Sequence, residues 1–393
     1  SSDQWLDPKS VVIAFDIKNT STAGELDFLS THMQVLFSRL QVTCGGTIVE
    51  GNVQHDNRLC TLFNKYQSTD KILEVSSMAL GTEQTMQAAA GGLVSPQLFS
   101  VEQIKLLKIP AGEKRRVCMR LTMSTVFSGS SSWWPLFALN GGIRIQLTLD
   151  LAENVVKKMT PAGEPTQSSS FELEAAVCLW DAITLDSAPQ EKYFQQLASG
   201  GTLLYERSAF STSEVFLPLS SDGSFNASIN KPYSRLNTAF VTFCPVLSGL
   251  QKSAGFQVCN TFVGYGDKAY SRDGLTLQMQ IGSTEFPQRP AHGYAECYYR
   301  LLRGLGIVAS QAHSLAISKQ DFDTNSFCFC VDCEKVSTVS SSGLNTQGVE
   351  TRVSGSFLAY GQGNANSGVD RVFLHLHAEC FIEIRSGSCT LLT

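Results

Sequence analysis

The clearest hydrophobic pattern in the chain lies between Ile143 and Asp150. Ile143, Ile145, Leu147 and Leu149 alternate with Arg144, Gln146, Thr148 and Asp150. Strand side chains point to opposite faces with a period of two, so the pattern predicts a strand with one buried face. Its apolar approach, Trp133-Trp134-Pro135-Leu136-Phe137-Ala138-Leu139, ends in Asn140-Gly141-Gly142. Those residue types allow the positive φ of a tight turn.

The same alternation recurs along the first half. Val11, Ile13, Phe15 and Ile17 share a face of a strand over residues 11–18. Residues 35–49 read as two strands joined at Gly45-Gly46, the second short. Leu59, Leu62, Phe63 and Tyr66 fall at i, i+3, i+4 and i+7, the spacing of an amphipathic helix. Residues 67–102 have no period and read as a long exposed loop. Strands follow over 104–109 and 115–125, with Pro110-Ala111-Gly112 turning between them. Phe171, Leu173, Ala175, Val177 and Leu179 form one face of another strand.

Residues 186–200 read as a linker helix. Ser187 is its expected cap, with Gln190 as box partner, Pro189 in the first turn and Gly200-Gly201 as the stop. The second half then repeats the first in kind. Strands are expected over 213–219, 224–229 and 234–243, and Leu275, Leu277, Met279 and Ile281 mark another. A helix begins near Tyr294 and stops at Gly304-Leu305-Gly306. Residues 327–331 alternate, 343–348 are a turn-rich loop, and 372–384 form the last long strand. Ser234-Arg235-Leu236 echoes Ser38-Arg39-Leu40 half a chain earlier, as a duplication would leave it.

The total of 393 residues suits two hydrophobic cores better than one. Charged residues make up 17%, the formal net charge is −5, and no run of like charge stands out. The densest basic group is Lys114, Arg115, Arg116 and Arg120, read as the solvent face of a strand. Without a basic arm, strong direct nucleic-acid binding is not expected. No apolar run approaches the ~20 residues of a transmembrane helix, and no signal peptide opens the chain. The twelve Cys lack the rhythm of a disulfide scaffold and read as reduced, buried thiols of an intracellular setting. The Asn226-Ala227-Ser228 sequon is then a chance match.

Taken together, several stretches resemble the double jelly-roll major capsid proteins of eukaryotic DNA viruses. The Pro135–Leu139 run entering a strand is similar to the close of their first barrel. The stretch from Phe37 to Glu50 resembles their arginine-leucine strand, glycine turn and valine-glutamate ending. The Leu275–Ile281 alternation, the Gly282-Ser283 turn, Phe286-Pro287 and the following helix resemble the second barrel. The terminal strand closing on Arg385-Ser386-Gly387 is similar to the family's C-terminus. Asn140-Gly141-Gly142 replaces the bulkier turn of the giant-virus branch, so polinton-like viruses are the most similar group.

The resemblance implies an all-β chain of two eight-stranded antiparallel jelly rolls, residues 1–190 and 191–393, with few short helices. It implies a structural role: a homotrimer forming pseudo-hexagonal capsomers of an icosahedral shell in the virion, made inside the host cell. Penton and minor capsid proteins are the implied partners, and the chain is not an enzyme. The implied interfaces draw on the outer face of the last strand, with Phe373, His375, His377 and Phe381. Residues 67–102, 205–233 and 335–368 are expected as exposed tower or contact loops.

Candidate chemistry does not displace this reading. Cys328, Cys330 and Cys333 with His375 and His377 contain zinc-ligand types, but Cys-x-Cys inside a strand is not a zinc knuckle. His375 and His377 share a face with Glu379 and Glu383, as in a cupin metal cluster, but two histidines are a thin motif and an amphipathic strand presenting polar groups to a neighbouring subunit is the preferred reading. No P-loop, HExxH, G-x-S-x-G or dinucleotide signature occurs. Hence no catalytic, cofactor or metal site is assigned. The alternatives are a two-jelly-roll glycan-binding protein or hydrolase, or a minor capsid protein of the same fold. A lectin would expose Trp133 and Trp134; a capsid barrel would bury them.

Overall fold

The computed structural model describes residues 3–30, 32–67, 82–84, 104–106, 108–128, 132–156, 168–217, 224–229, 231–245, 247, 257–262, 275–308, 315, 317, 321–322, 325–334, 343–357, 369–385 and 387–392. Every named strand pairing among them is antiparallel.

The second half is a sandwich. In one sheet Leu203–Phe216, Val369–Arg385, Leu236–Pro245 and Phe329–Asp332 lie side by side in that order. In the other the order is Ser224–Ser228, Thr351–Phe357, Leu275–Ile281 and Thr284–His292. The expected alternation holds in the second sheet, where Leu275, Leu277, Met279 and Ile281 are buried and the residues between them only half-buried. It fails in the first. Strand Leu236–Pro245 is buried on both faces as far as Cys244, because a helix lies across the outside of its sheet.

That helix, Asp56–Tyr66, comes from the first half of the chain. Phe63 meets Phe210 and Phe240 edge-on or tilted, with ring centroids 5.8 and 5.3 Å apart. The Tyr66 hydroxyl donates to the Ser326 carbonyl at 2.9 Å. Leu62 and Tyr66 therefore belong to the second half's core. The exchange is reciprocal. Ile382, Ile384 and Cys389, at the C-terminal end, pack in the first half's core beside Phe15, Leu40 and Trp134. There Ser388–Leu392 pairs with Phe381–Arg385, and the Thr47 hydroxyl donates to the Cys389 carbonyl at 2.6 Å.

The first half spreads over three three-stranded sheets. Their orders are Ala182–Thr184, Gln4–Leu6, Trp134–Pro135; Phe171–Leu179, Val12–Asn19, Lys114–Arg120; and Thr47–Gln54, Phe37–Cys44, Ile143–Leu149. Bridges Leu26 to Ile109 and Phe28 to Val156 tie the loops in. The strand after Gly45-Gly46 is eight residues long, not short. Residues 115–125 divide into the end of strand Lys114–Arg120, a turn, and the start of a helical turn at Thr125–Ser128.

Three further expectations change. Residues 205–233 are not a loop region: Leu203–Phe216 is a 14-residue strand paired along its whole length with the last strand. Within 335–368, Thr351–Phe357 is a strand, while 335–342 and 358–368 lie outside the described residues. Most of 67–102 lies outside them too, apart from Thr82–Gln84, which pairs with Ile104–Leu106.

The linker helix is Ser187–Ala198, capped by Asp186 rather than Ser187 and without a side-chain capping bond. Gln190 does not serve as a box partner. Its Oε1 accepts from the Trp5 indole at 2.8 Å, pinning the helix to the first half. The stop is as expected: Gly200 has φ +83°, and a Cβ on Gly201 would lie 2.7 Å from the Gln196 carbonyl.

Candidate assembly surface

The candidate residues are first resolved by burial. Cys328, Cys330 and Cys333 sit in the second half's core. Gly304 of helix Gly293–Gly304 packs so closely there that a Cβ would lie 2.1 Å from the Cys330 sulfur. Burial pushes the Cys333 thiol up to about 12 and Cys330 well above its ordinary range, so both are protonated small hydrophobes.

His375 is fully buried. Its Nδ1 lies 2.8 Å from the Thr212 hydroxyl and its Nε2 3.3 Å from that of Thr242, so both ring nitrogens have partners. His377 stacks on Phe210 with centroids 4.7 Å apart. Burial lowers His377 to about 4 and His375 well below its ordinary value, leaving both neutral. Phe373 is likewise buried. This corrects the expectation that Phe373 and His375 face a neighbouring subunit: helix Asp56–Tyr66 already covers them. Among the described residues, no three His, Cys, Asp or Glu side chains converge as metal ligands.

The expected solvent face holds for Lys114, Arg116 and Arg120, whereas Arg115 lies beside Ile17 on the core-facing side; the charges of Lys114 and Arg116 are paired. Arg116 meets Asp16 at 3.1 Å, Lys114 meets Asp16 and Glu174 at 3.6 and 3.7 Å, and Lys18 meets Glu174 at 3.0 Å. The two tryptophans split: Trp134 is buried and stacks on Tyr205, whereas Trp133 is 44% exposed.

The buried residue that the sequence reading missed is Arg58, on the first turn of helix Asp56–Tyr66. It is fully buried in the second half. Its guanidinium donates to the carbonyls of Val258, Thr261 and Phe243 and to the Thr242 hydroxyl. It lies between Phe262 and Phe373, 4.3 and 4.2 Å from their centroids. Planar guanidinium chemistry permits both contacts at once. Beside it, His55 meets Glu214 of the second half at 3.0 Å, and Arg371 holds the same carboxylate at 3.3 Å. On the first-half side of the helix, Gln34 donates to a buried Asp56 carboxyl at 2.8 Å. Glu50 accepts from Ser124 at 2.5 Å and from the Thr125 amide at 3.0 Å. Arg207 of the second half reaches the Val49 carbonyl. The two halves are therefore joined by polar contacts as well as apolar ones, although Asp56 Oδ1 and Arg207 Nε are buried without a partner among the described residues.

The outward surface is different. From Phe171 to Ser199 nearly every side chain is exposed or half-exposed, although the segment is regular strand and helix. The cause is local. Glu174 pairs with Asp16, yet Val177 pairs with Ala14, so two residues face one and a bulge forms at Ala175, φ +50°. An inserted residue moves every following side chain to the other face. Leu173 stays with Ile17 on the core side, while Val177 and Leu179 turn outward. Trp180 is exposed as well, and on helix Ser187–Ala198 Tyr193 and Phe194 stay partly exposed while packing on Trp5 and Phe137. The Ile143–Leu149 strand is also less buried than its pattern implies: Ile143, Ile145 and Leu147 are half-buried and Leu149 exposed, on an edge strand.

No protein-family model and no curated protein matches the sequence. Solved structures match throughout. PBCV-1 VP54, fitted into a reconstruction of the virophage Sputnik, aligns over 100% of this chain and 90% of its own, with 11% identity and a TM-score of 0.59. The Sputnik virophage structure covers 100% of this chain and 83% of its own, at 11% identity and a TM-score of 0.58. The quasi-atomic PBCV-1 virus capsid covers 100% and 90%, at 10% and 0.54. At such identities the likeness concerns the fold, and by that measure this all-β chain is a double jelly roll.

Proposed function

We propose that this chain is a major capsid protein of a DNA virus, most similar to the polinton-like group, and that its role is structural. The observation that carries the reading is an alignment of the whole chain with virus-capsid structures. The ordered but uncovered apolar segment Phe171–Ser199 supports it, because monomeric soluble proteins rarely leave such patches open.

The two barrels correspond to residues 1–190 and 191–393, joined near 186–200. Three chains around a threefold axis place six similar barrels in a ring, a pseudo-hexagonal block that tiles an icosahedral shell. The partners are further copies of the chain, with penton and minor capsid proteins at specialised positions, and the site of action is the virion, after synthesis in the host cell. Electron microscopy of the expressed chain, with sedimentation of the same sample, tests this. Three-chain blocks assembling into shells are expected; a monomer at all micromolar concentrations and salts would sink the reading. Copy number per virion separates a major from a minor capsid protein.

The half-exposed Trp133 favours a second reading, a glycan-binding jelly roll. Acrylamide quenching decides between them: sugars that shield Trp133 would support the lectin, and unchanged quenching supports the shell protein.

A further inference from the structure

The second half carries an open cleft of about 690 Å³ between strand Thr284–His292, helix Gly293–Gly304 and strand Phe329–Asp332. Both strands are edge strands of their sheets. The floor is partly apolar, with Phe286, Pro287 and Leu344. Arg289, Arg300 and Arg303 line it, and the side chains of Arg289 and Arg303 are 77% and 58% exposed. Within the fold these cations are only partly matched: Glu296 serves Arg289 at 3.7 Å and Arg300 at 3.3 Å, and Asp332 serves Arg303 at 3.2 Å. The Arg300 Nε is buried without an acceptor among the described residues.

The uncovered segment of the first half has the complementary chemistry. Residues 171–199 carry five carboxylates, Glu172, Glu174, Asp181, Asp186 and Glu191, and one cation, Lys192; Glu174 is already matched by Lys18 and Lys114, and Asp181, Asp186 and Glu191 are exposed. Trp180, 43% exposed, stands next to the exposed Asp181. An aromatic side chain beside an acid matches an apolar cleft rimmed by arginine, and Trp, Tyr and Arg are the residues that dominate interface energies. Among the described residues of one chain, both surfaces remain open.

Building on the trimer reading above, we propose that the occupant of this cleft is a second copy of the chain, with Trp180 entering between Phe286 and Pro287 and Asp181 meeting Arg289 at the rim. Contact of a first half with the next chain's second half is head-to-tail, the arrangement that closes a ring. The contact is made by side chains rather than by strand addition. Pro287 and Pro290 remove main-chain donors from one edge, and the bulge at Ala175 bends the other. Asp332 is already engaged by Arg303 and Glu334 also lines the cleft, so the docked acid is directed to the more exposed Arg289.

The test is sedimentation over a dilution series of the full chain, for the wild type, Trp180→Ala, Asp181→Lys, Arg289→Glu and the Asp181→Lys/Arg289→Glu double variant. Each single change should raise the concentration at which trimers dissociate by about tenfold or more, and the double variant should recover part of that loss. The two charge positions are exposed, so folding does not depend on them, and melting curves check this. A wild-type trimer that all three single variants leave unchanged overturns the proposed contact while the trimer stands. A wild type that never trimerises overturns the assembly reading and the contact with it.

Discussion

The guanidinium carbon of Arg58 lies 4.2 Å from the ring centroid of Phe373. One residue belongs to a helix of the first half and the other to the last strand of the second, 315 positions later. The contact makes the helix a pin through the junction, and it explains why Phe373 and His375 on the outer face of the last strand are unavailable to a neighbour.

Replacing Arg58 by Ala should therefore be severe. It leaves the carbonyls of Val258, Thr261 and Phe243 short of a donor and opens a void between two phenylalanines. A loss of about 3–5 kcal/mol is expected, measured by denaturant unfolding. Arg58→Lys should recover only part of it, because an ammonium lacks the planar fork. Wild-type stability in Arg58→Ala would contradict the pin.

Asp56 ties stability to pH. Burial, above all, raises its carboxyl from 3.8 to about 7, the Gln34 hydrogen bond opposes this, and the Glu50 charge adds to it. A folded value above the unfolded one means the proton is held more tightly in the fold. The resulting stability is full below about 4 and is lost as pH rises towards 7. Asp56→Asn, which resembles the protonated acid, should gain stability relative to wild type between pH 5 and pH 8. His32 runs the other way: burial lowers it from 6.5 to about 4, so its contribution is lost as pH falls through that range. Melting curves of variant and wild type across pH isolate the Asp56 part. A difference that is flat with pH would show that Asp56 is ionised in the fold.

Removing Ser388–Thr393 should loosen the first half more than the second. The deletion takes away the strand paired with Phe381–Arg385, the Thr47 bond and the buried Cys389. A cost of about 2–4 kcal/mol follows from the apolar area lost. Hydrogen exchange should quicken at Phe37–Gln54 before it does at Leu275–Ile281. Uniform quickening would mean that the tail does not act locally.

Duplex DNA should bind no more tightly than ~10⁻⁴–10⁻⁶ M at physiological salt. Lys114, Arg116 and Lys18 are each matched by Asp16 or Glu174. A nanomolar, steeply salt-dependent affinity, measured by fluorescence anisotropy, would require a basic surface assembled from other residues.

Much of this fold is legible in the order of residues because local rules decide it. Leu275 to Ile281 alternate and are buried alternately; Gly45-Gly46 and Gly200-Gly201 turn the chain where only glycine fits comfortably. Leu59 to Tyr66 repeat with a helical period and form a helix. Each of these depends on neighbours within about eight positions, so the sequence alone determines them.

What the sequence cannot encode locally is which face meets what. Alternation over Val369–Arg385 marks two faces, but both are buried at Phe373 and His375 because a helix some 310 residues earlier lies across the outer one. Alternation through Val177 and Leu179 marks a core face, but a single extra residue near Ala175 turns them outward. Nothing in the helical period of Leu59 to Tyr66 singles out Arg58; only the approach of Thr242, Phe262 and Phe373 makes it a core residue. In each case the periodicity sets the direction of a side chain along its own element, whereas burial depends on which distant element packs there.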